Sequence, residues 1–375
     1  MEKKKVRILF PDRLDKPVGG LSIVAQKIKK YLSDDFDLEF VGQPQEIEMK
    51  NYLPTFMPLD IAHGPLNTIT GQISYFAQAL KNGKPDLIHA FDWTVFLAGA
   101  YTAAHYEIPL VSSMQLSINK LNMAGIGYAV DQTTVDGHWI NETHKQIEIA
   151  GLDHANKIIH VSNEYFKGFD LYKDKSVIIQ NGVDFDELQG DKIELPGTRP
   201  IKLVYIGRFA TMKNVLALTE ATIPDNIDLI YIGNDSGGEG FIFDSMLKHV
   251  EENDNVHYIG EKYGKEKADI FTSADAVIFP SNHEPFGIVG LEAMATNCVL
   301  LTSRVDGISD YANDSNSIYC GLTTDSINIA LKLLSFIDDD SKQSLLENGL
   351  ETAHEFNWVR ATNKYREVYN ELLNN

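Results

Sequence analysis

Short apolar runs alternate with helical patterns along almost the whole of this chain. Runs of buried-strand character stand at 6–10, 38–41, 86–90, 109–113, 157–162 and 176–179. A second series follows at 203–206, 229–232, 256–259, 276–279, 299–302 and 317–319. Between them, apolar residues recur at helical spacing, as at 21–32, 75–80, 95–105 and 140–152. A strand that is apolar on both faces must be covered on both, and helices flanking a parallel sheet do this. The expected class is therefore α/β. At 375 residues the chain is long for one core, and a polar linker at 184–200 separates the two series. Two doubly wound parallel-sheet domains are expected, over 1–190 and 200–356, facing each other across a cleft. The tail, 357–375, reads as a helix that packs back on the first domain. Residues 43–70 carry Pro44, Pro54, Pro58 and Pro65 and read as a long irregular loop. Residues 118–135 read as loop and short helix.

Charge and cysteine usage narrow the class further. A net charge of −20 argues against nucleic acid and against general adhesion to anionic lipid. Cys298 and Cys320 each fall in or beside a strand pattern, which favours buried thiols over a disulfide. Met1-Glu2-Lys3-Lys4-Lys5 leads straight into a short strand and not into a signal-peptide core. No apolar run approaches a membrane span. The expected location is the cytoplasm. Lys27, Lys29 and Lys30 give the first helix a basic character that suits peripheral membrane contact, but a solvated helix face is the favoured reading.

The chemistry concentrates in Ser281-Asn282-His283-Glu284-Pro285-Phe286-Gly287-Ile288-Val289-Gly290-Leu291-Glu292-Ala293-Met294. A strand runs into this stretch and a helix begins near Gly287. That helix is apolar on nearly every side, so it should be buried, and Glu292 is its one charge. A buried carboxylate without a partner is costly, so something polar should meet it. Glu284 stands one turn before the helix, where free backbone N–H groups attract anions. Two acids beside such a helix start describe a site for a sugar attached to a phosphate.

Glu-Pro-Phe-Gly-Ile-x-x-Leu-Glu-Ala-Met closely resembles the signature of retaining glycosyltransferases of family 4 and of the related glycogen and starch synthases. Asn181-Gly182-Val183-Asp184, and Gly207-Arg208 followed by Lys213, resemble further elements of that family in the same order. The resemblance implies the GT-B fold of two Rossmann-like domains. It implies a hexose donor linked to UDP, ADP or GDP, and a carbohydrate, glycoconjugate or small-molecule hydroxyl as acceptor. It implies that Arg208 and Lys213 grip the diphosphate, that Glu284 orients the sugar and that Glu292 binds the ribose. Phe286, Gly287 and Ile288 complete the donor side at the helix start. Gly19 and Gly20 stand where the family closes a Gly-Gly turn over the donor phosphates, and glycines there let backbone approach a ligand.

His89-Ala90-Phe91-Asp92-Trp93 is similar to the His-x-His-Asp-Trp of glycogen and starch synthases, with Phe91 replacing the second His. Asp92 is a candidate acceptor contact. Family members carry Thr-x-His after the strand at 109–113, where this chain has Ser113-Met114-Gln115. Gln115 still donates and accepts hydrogen bonds but cannot act as a base. No histidine pair has metal-ligand spacing, and Asp184-Phe185-Asp186 falls in the linker, so catalysis without metal is expected. The leading expectation is a retaining hexosyltransferase. The competing ones are a glycogen-synthase-like α-glucan elongating enzyme and a non-catalytic sugar-nucleotide-binding protein or partner subunit.

Overall fold

The computed structural model describes residues 2–15, 20–45, 51–55, 65–123, 135–235 and 240–374. It divides into two compact units, Met1–Gln180 with Val359–Asn375, and Asn181–Trp358. The division precedes the polar stretch at 184–200, whose residues belong to the second unit.

The first unit begins β1 (Lys5–Leu9), α1 (Gly20–Leu32), β2 (Asp37–Gly42), β3 (Tyr52–Pro54), α2 (Pro65–Ala79), β4 (Leu87–Phe91) and α3 (Trp93–Tyr106). It continues β5 (Leu110–Met114), α4 (Ile118–Met123), α5 (Val135–His154), β6 (Lys157–His160), α6 (Asn163–Phe166) and β7 (Ser176–Ile178). Its strands pair in parallel in the order β3-β2-β1-β4-β5-β6-β7. Val6 lies opposite both Leu38 and Leu87, so the sheet centre is apolar on both sides. Val6, Ile8, Leu87, Ile88 and Val111 are fully buried. Each such side chain contributes roughly 1.5–3 kcal/mol relative to exposure.

The second unit repeats the plan. It runs β8 (Ile201–Ile206), α7 (Val215–Thr219), β9 (Ile227–Ile232), α8 (Gly240–Glu252), β10 (Val256–Tyr258), α9 (Gly264–Ser273) and β11 (Ala276–Phe279). Then come α10 (Ile288–Ala295), β12 (Val299–Thr302), β13 (Ile318–Tyr319), α11 (Thr324–Ser335) and α12 (Asp339–Glu355). Its parallel sheet has the order β10-β9-β8-β11-β12-β13. Cys298 and Cys320 are buried free thiols. The last helix, α13 (Trp358–Leu373), belongs to the first unit from Val359 onward. Its Ala361, Tyr365, Val368 and Tyr369 are buried at helical spacing. Arg366 pairs with Asp35 at 2.7 Å and Glu371 with Lys157 at 2.7 Å.

In each sheet the chain starts in the middle and winds outward both ways. β1 has β2 on one side and β4 on the other, and β8 likewise has β9 and β11. These are the topological switch points, where loops at the carboxyl ends of the strands diverge and leave room for a ligand. The segments that follow β4, β8 and β11 carry Asp92, Arg208 with Lys213, and Glu284 respectively.

Two sequence expectations need correction. The stretch 43–70 is not wholly irregular: Tyr52–Pro54 is an edge strand, and α2 starts at Pro65. Proline is tolerated at a strand edge and in the first turn of a helix, so both elements hid behind their prolines. The basic face of α1 does not form, because Lys27 is only 3% exposed. It lies three residues after buried Val24, on the inward stripe, and only Lys30 is open. His89, which opens the glucan-synthase-like run, is buried. Its Nδ1 meets the Tyr369 hydroxyl at 2.6 Å and its Nε2 the Ser113 hydroxyl at 2.6 Å, within the first unit. Burial holds the ring neutral, with a pKa lowered to about 3. Among the described residues no helix is long and apolar enough to cross a membrane.

Candidate active site

The site in the second unit is built at the carboxyl edge of its sheet from the loops after β8 and β11. After β8 the chain passes Gly207 and Arg208 and makes a short 3-10 turn over Thr211–Lys213. The buried Tyr205 hydroxyl donates to the Arg208 carbonyl at 2.9 Å, which fixes the backbone under Arg208. Arg208 itself is exposed and forms no ion pair among the described residues. After β11 comes the acidic signature loop. It is stitched to the 3-10 turn: Asn282 N donates to Met212 O at 2.9 Å and Asn282 Nδ2 to Thr211 O at 2.9 Å. These bonds bring Lys213 to Glu284. The two form an ion pair with side chains 15% and 12% exposed, and the ammonium stands 5.5 Å from the centre of the Phe279 ring.

Gly287 then turns the chain into α10. Its φ is +86°, a left-handed conformation that costs glycine little. A Cβ there would stand 3.0 Å from Glu284, Ile308 and Phe279 atoms. Tyr311 donates to the Gly287 carbonyl at 2.6 Å. Burial, with the charges of Glu284 and Glu292 adding to it, holds that phenol protonated by raising its pKa well above the usual value. Phe286 packs on Tyr311, with ring centroids 5.6 Å apart. Phe286 and Ile288 are buried.

Glu292 lies on the next turn of α10 and is 8% exposed. Its polar partner is Lys267 of α9, whose Nζ donates to Oε1 at 2.6 Å. Oε2 is buried and has no hydrogen-bond partner among the described residues. One oxygen is thus neutralised by the protein while the other is left to accept.

In the first unit the structure joins Asp92 and Gln115. Asp92 follows β4 with φ +63°, and its Oδ1 accepts from the backbone N–H of Gln115 at 2.6 Å and of Leu116 at 2.8 Å. Asp92 therefore pins the loop after β5 that carries Gln115. Trp93 packs against His144, with ring centroids 4.2 Å apart. Gly20 is the exposed first residue of α1, and Gly19 lies outside the described residues.

The family model described as Glycosyltransferase Family 4 matches residues 18–187, and that described as Glycosyl transferases group 1 matches residues 188–351. Together they cover residues 18–351 without a gap. This chain belongs to the family 4 glycosyltransferases. An uncharacterized glycosyltransferase of Methanocaldococcus jannaschii is 25% identical over 98% of this chain and 99% of its own length. Among solved structures, a sucrose-phosphate synthase from Thermosynechococcus elongatus superposes with a TM-score of 0.82 at 19% identity, covering 99% of each chain. The Anabaena protein HepE in complex with UDP-glucose superposes with a TM-score of 0.77 at 16% identity, covering 98% of this chain and 100% of its own. The glycosyltransferase has the GT-B fold.

In this glycosyltransferase, sequence reasoning singled out Arg208, Lys213, Glu284, Phe286, Gly287, Ile288 and Glu292, and all lie along one sheet edge of the second unit. It missed Lys267, His283 and Asp306. Lys267 comes from a separate helix, 25 residues from its partner, and no local pattern marks it. His283 stands inside the signature stretch but gives no sign of its partner. That partner is Asp306, whose Oδ2 accepts from His283 Nδ1 at 2.6 Å.

Asp92 also carries a measurable pH signature. Burial raises its carboxyl pKa to about 7, against the two amides that favour the ionised form. The folded state therefore holds a proton that the unfolded chain has released above about pH 4. This contribution to stability is complete below that pH and falls as pH rises through about 7, by up to about 4 kcal/mol. Urea midpoints at about pH 5 and about pH 8 should differ accordingly, and Asp92→Asn, which keeps the acceptor oxygen, should flatten the difference.

Proposed function

We propose that this glycosyltransferase is a retaining hexosyltransferase. It moves a hexose from a nucleoside-diphosphate sugar to a hydroxyl of a glycan, glycoconjugate or small molecule, in the cytoplasm and without metal. The observation that carries this reading is the Lys213–Glu284 ion pair, which joins the loops after β8 and β11, with the exposed Arg208 on the same loop as Lys213. Breaking the anomeric C–O bond leaves a diphosphate, and fixed cations at that spot stabilise the charge as it develops. Arg208 is free to hold two phosphate oxygens at once, and Lys213 supplies a compact charge. Glu284, gripped by Lys213, is the group to orient the sugar hydroxyls and the cationic anomeric centre. Glu292 Oε2 is a ready acceptor for a ribose hydroxyl. The UDP-glucose held by the similar HepE supports a nucleotide sugar as donor and makes UDP-glucose the first to try. The leaving phosphate is the base that takes the acceptor proton on the same face, which retains the anomeric configuration.

Two features bear on the competing readings. His89, which resembles a glucan-synthase motif, is enclosed by Tyr369 and Ser113 and contributes nothing to an acceptor. The set Arg208, Lys213, Glu284 and Glu292 is complete, which opposes a binding-only subunit. Proton NMR of the first product formed from an α-linked donor, in the presence of a chelator, tests the proposal. An α-anomer formed at an undiminished rate is expected. A β-anomer, or activity lost on chelation, contradicts it.

Lys267 gives a separate test. Without its ammonium, Glu292 is a buried carboxylate with no counter-charge and loses the contact that holds its side chain. Lys267→Met should therefore weaken binding of the nucleoside diphosphate by about tenfold, near 1.4 kcal/mol. Calorimetric titration with the diphosphate reads this directly.

A further inference from the structure

We propose that Asp306 is a positioning residue that sets the aim of Glu284 by clasping its backbone. The segment after β12 reaches the signature loop with two residues in the left-handed region, Arg304 at φ +54° and Asp306 at φ +42°. Residues with side chains seldom adopt this conformation, and aspartate does so most readily when its carboxylate bonds nearby backbone. The Asp306 side chain has a duty. Its Oδ2 accepts from the Glu284 backbone N–H at 3.0 Å and from His283 Nδ1 at 2.6 Å. Gly307 N then donates to the Glu284 carbonyl at 3.1 Å. Two consecutive residues thus hold the peptide groups on both sides of Glu284. The approach is at backbone contact, since a Cβ on Gly307 would stand 1.9 Å from the Pro285 carbonyl oxygen. Ser309 Oγ closes the turn on the Asp306 carbonyl at 2.6 Å.

The clasp has a counterpart on the other side. His283 is 2% exposed, and its backbone N–H donates to Met212 O at 3.3 Å. His283 is therefore held between the turn that ends in Lys213 and the carboxylate of Asp306. Glu284 leaves this clamp with only its side chain to move, and that side chain meets Lys213. Without Asp306 the Glu284 backbone is released on its N–H side, and the carboxylate loses its fixed distance to the reacting sugar. Misplacement on the ångström scale is enough to cost up to about a hundredfold in rate.

This inference rests on the reading of Glu284 as the sugar-orienting group. The test measures kcat and KM for donor hydrolysis, with melting temperatures, in Asp306→Gly, Asp306→Asn and Glu284→Ala. Asp306→Gly relaxes the backbone, so the fold should persist with a melting temperature close to wild type. Its kcat should fall about ten- to thirtyfold with KM little changed, the mark of a misplaced group. Asp306→Asn keeps an acceptor for the Glu284 N–H and should recover most of the rate. A near-normal kcat in Asp306→Gly, alongside a large loss in Glu284→Ala, overturns the clasp and leaves the reading of Glu284 standing. A near-normal kcat in Glu284→Ala overturns that reading, and the clasp with it. An Asp306→Asn variant as slow as Asp306→Gly also overturns the clasp, because the acceptor oxygen is then not what matters.

Discussion

Glu284→Ala is expected to lower donor turnover by about 10²- to 10³-fold, the scale of losing one transition-state stabiliser. Arg208→Ala and Lys213→Ala are expected to fall in the same range. The three should not combine alike. Lys213 and Glu284 form a pair with little exposure, so removing either leaves the other misdirected. The double variant Lys213→Ala/Glu284→Ala should therefore lose much less than the product of the two single losses. Arg208 makes no ion pair among the described residues, so its loss should multiply more nearly with that of Glu284. Quenched-flow assays of nucleoside-diphosphate release measure the wild type, the three single variants and the two double variants on one scale. Near wild-type rates for all three single variants, with native circular dichroism, would refute the site.

Arg7→Met is expected to destabilise the first unit by about 3–5 kcal/mol. Arg7 of β1 lies directly opposite Glu39 of β2 in the sheet register, and their side chains are 0% and 6% exposed. The guanidinium binds the Glu39 carboxylate and the Ala79 carbonyl. Asn82 donates to the other Glu39 oxygen at 2.7 Å. Removing the arginine leaves a buried carboxylate with only a neutral amide for company. The double change Arg7→Met/Glu39→Leu should recover most of the loss, because an apolar pair has no charge to desolvate. Urea unfolding followed by fluorescence reads both variants. A single-variant loss below about 1 kcal/mol would mean that water reaches Glu39.

All strands of the two sheets except the edge strand β3 were legible because they are apolar on both faces, and their observed bounds differ by only a residue or two. Even Arg7, inside such a run, did not obscure β1, since the opposing Glu39 satisfies it. Legibility failed where a residue's role depends on a distant partner. Glu292 was marked as needing a polar neighbour by standing alone on an apolar helix, but nothing in the sequence named Lys267. Asp306 looks like an ordinary loop acid until its backbone angle and its bonds to His283 and Glu284 are seen together. His89 matched a family pattern, and the fold sets it against α13, where the Tyr369 hydroxyl meets its ring nitrogen. Lys27 was read by charge alone, where its spacing from Val24 already placed it on the buried stripe of α1.

The most direct test is a donor screen. Wild-type enzyme and Glu284→Ala are each incubated with UDP-, ADP- and GDP-hexoses, and release of the nucleoside diphosphate is followed. The expected result is turnover of at least one donor by the wild type and a loss of about a hundredfold or more in the variant. Equal rates in the two proteins, with the variant folded, would contradict the assignment of Glu284 and of the site built around it.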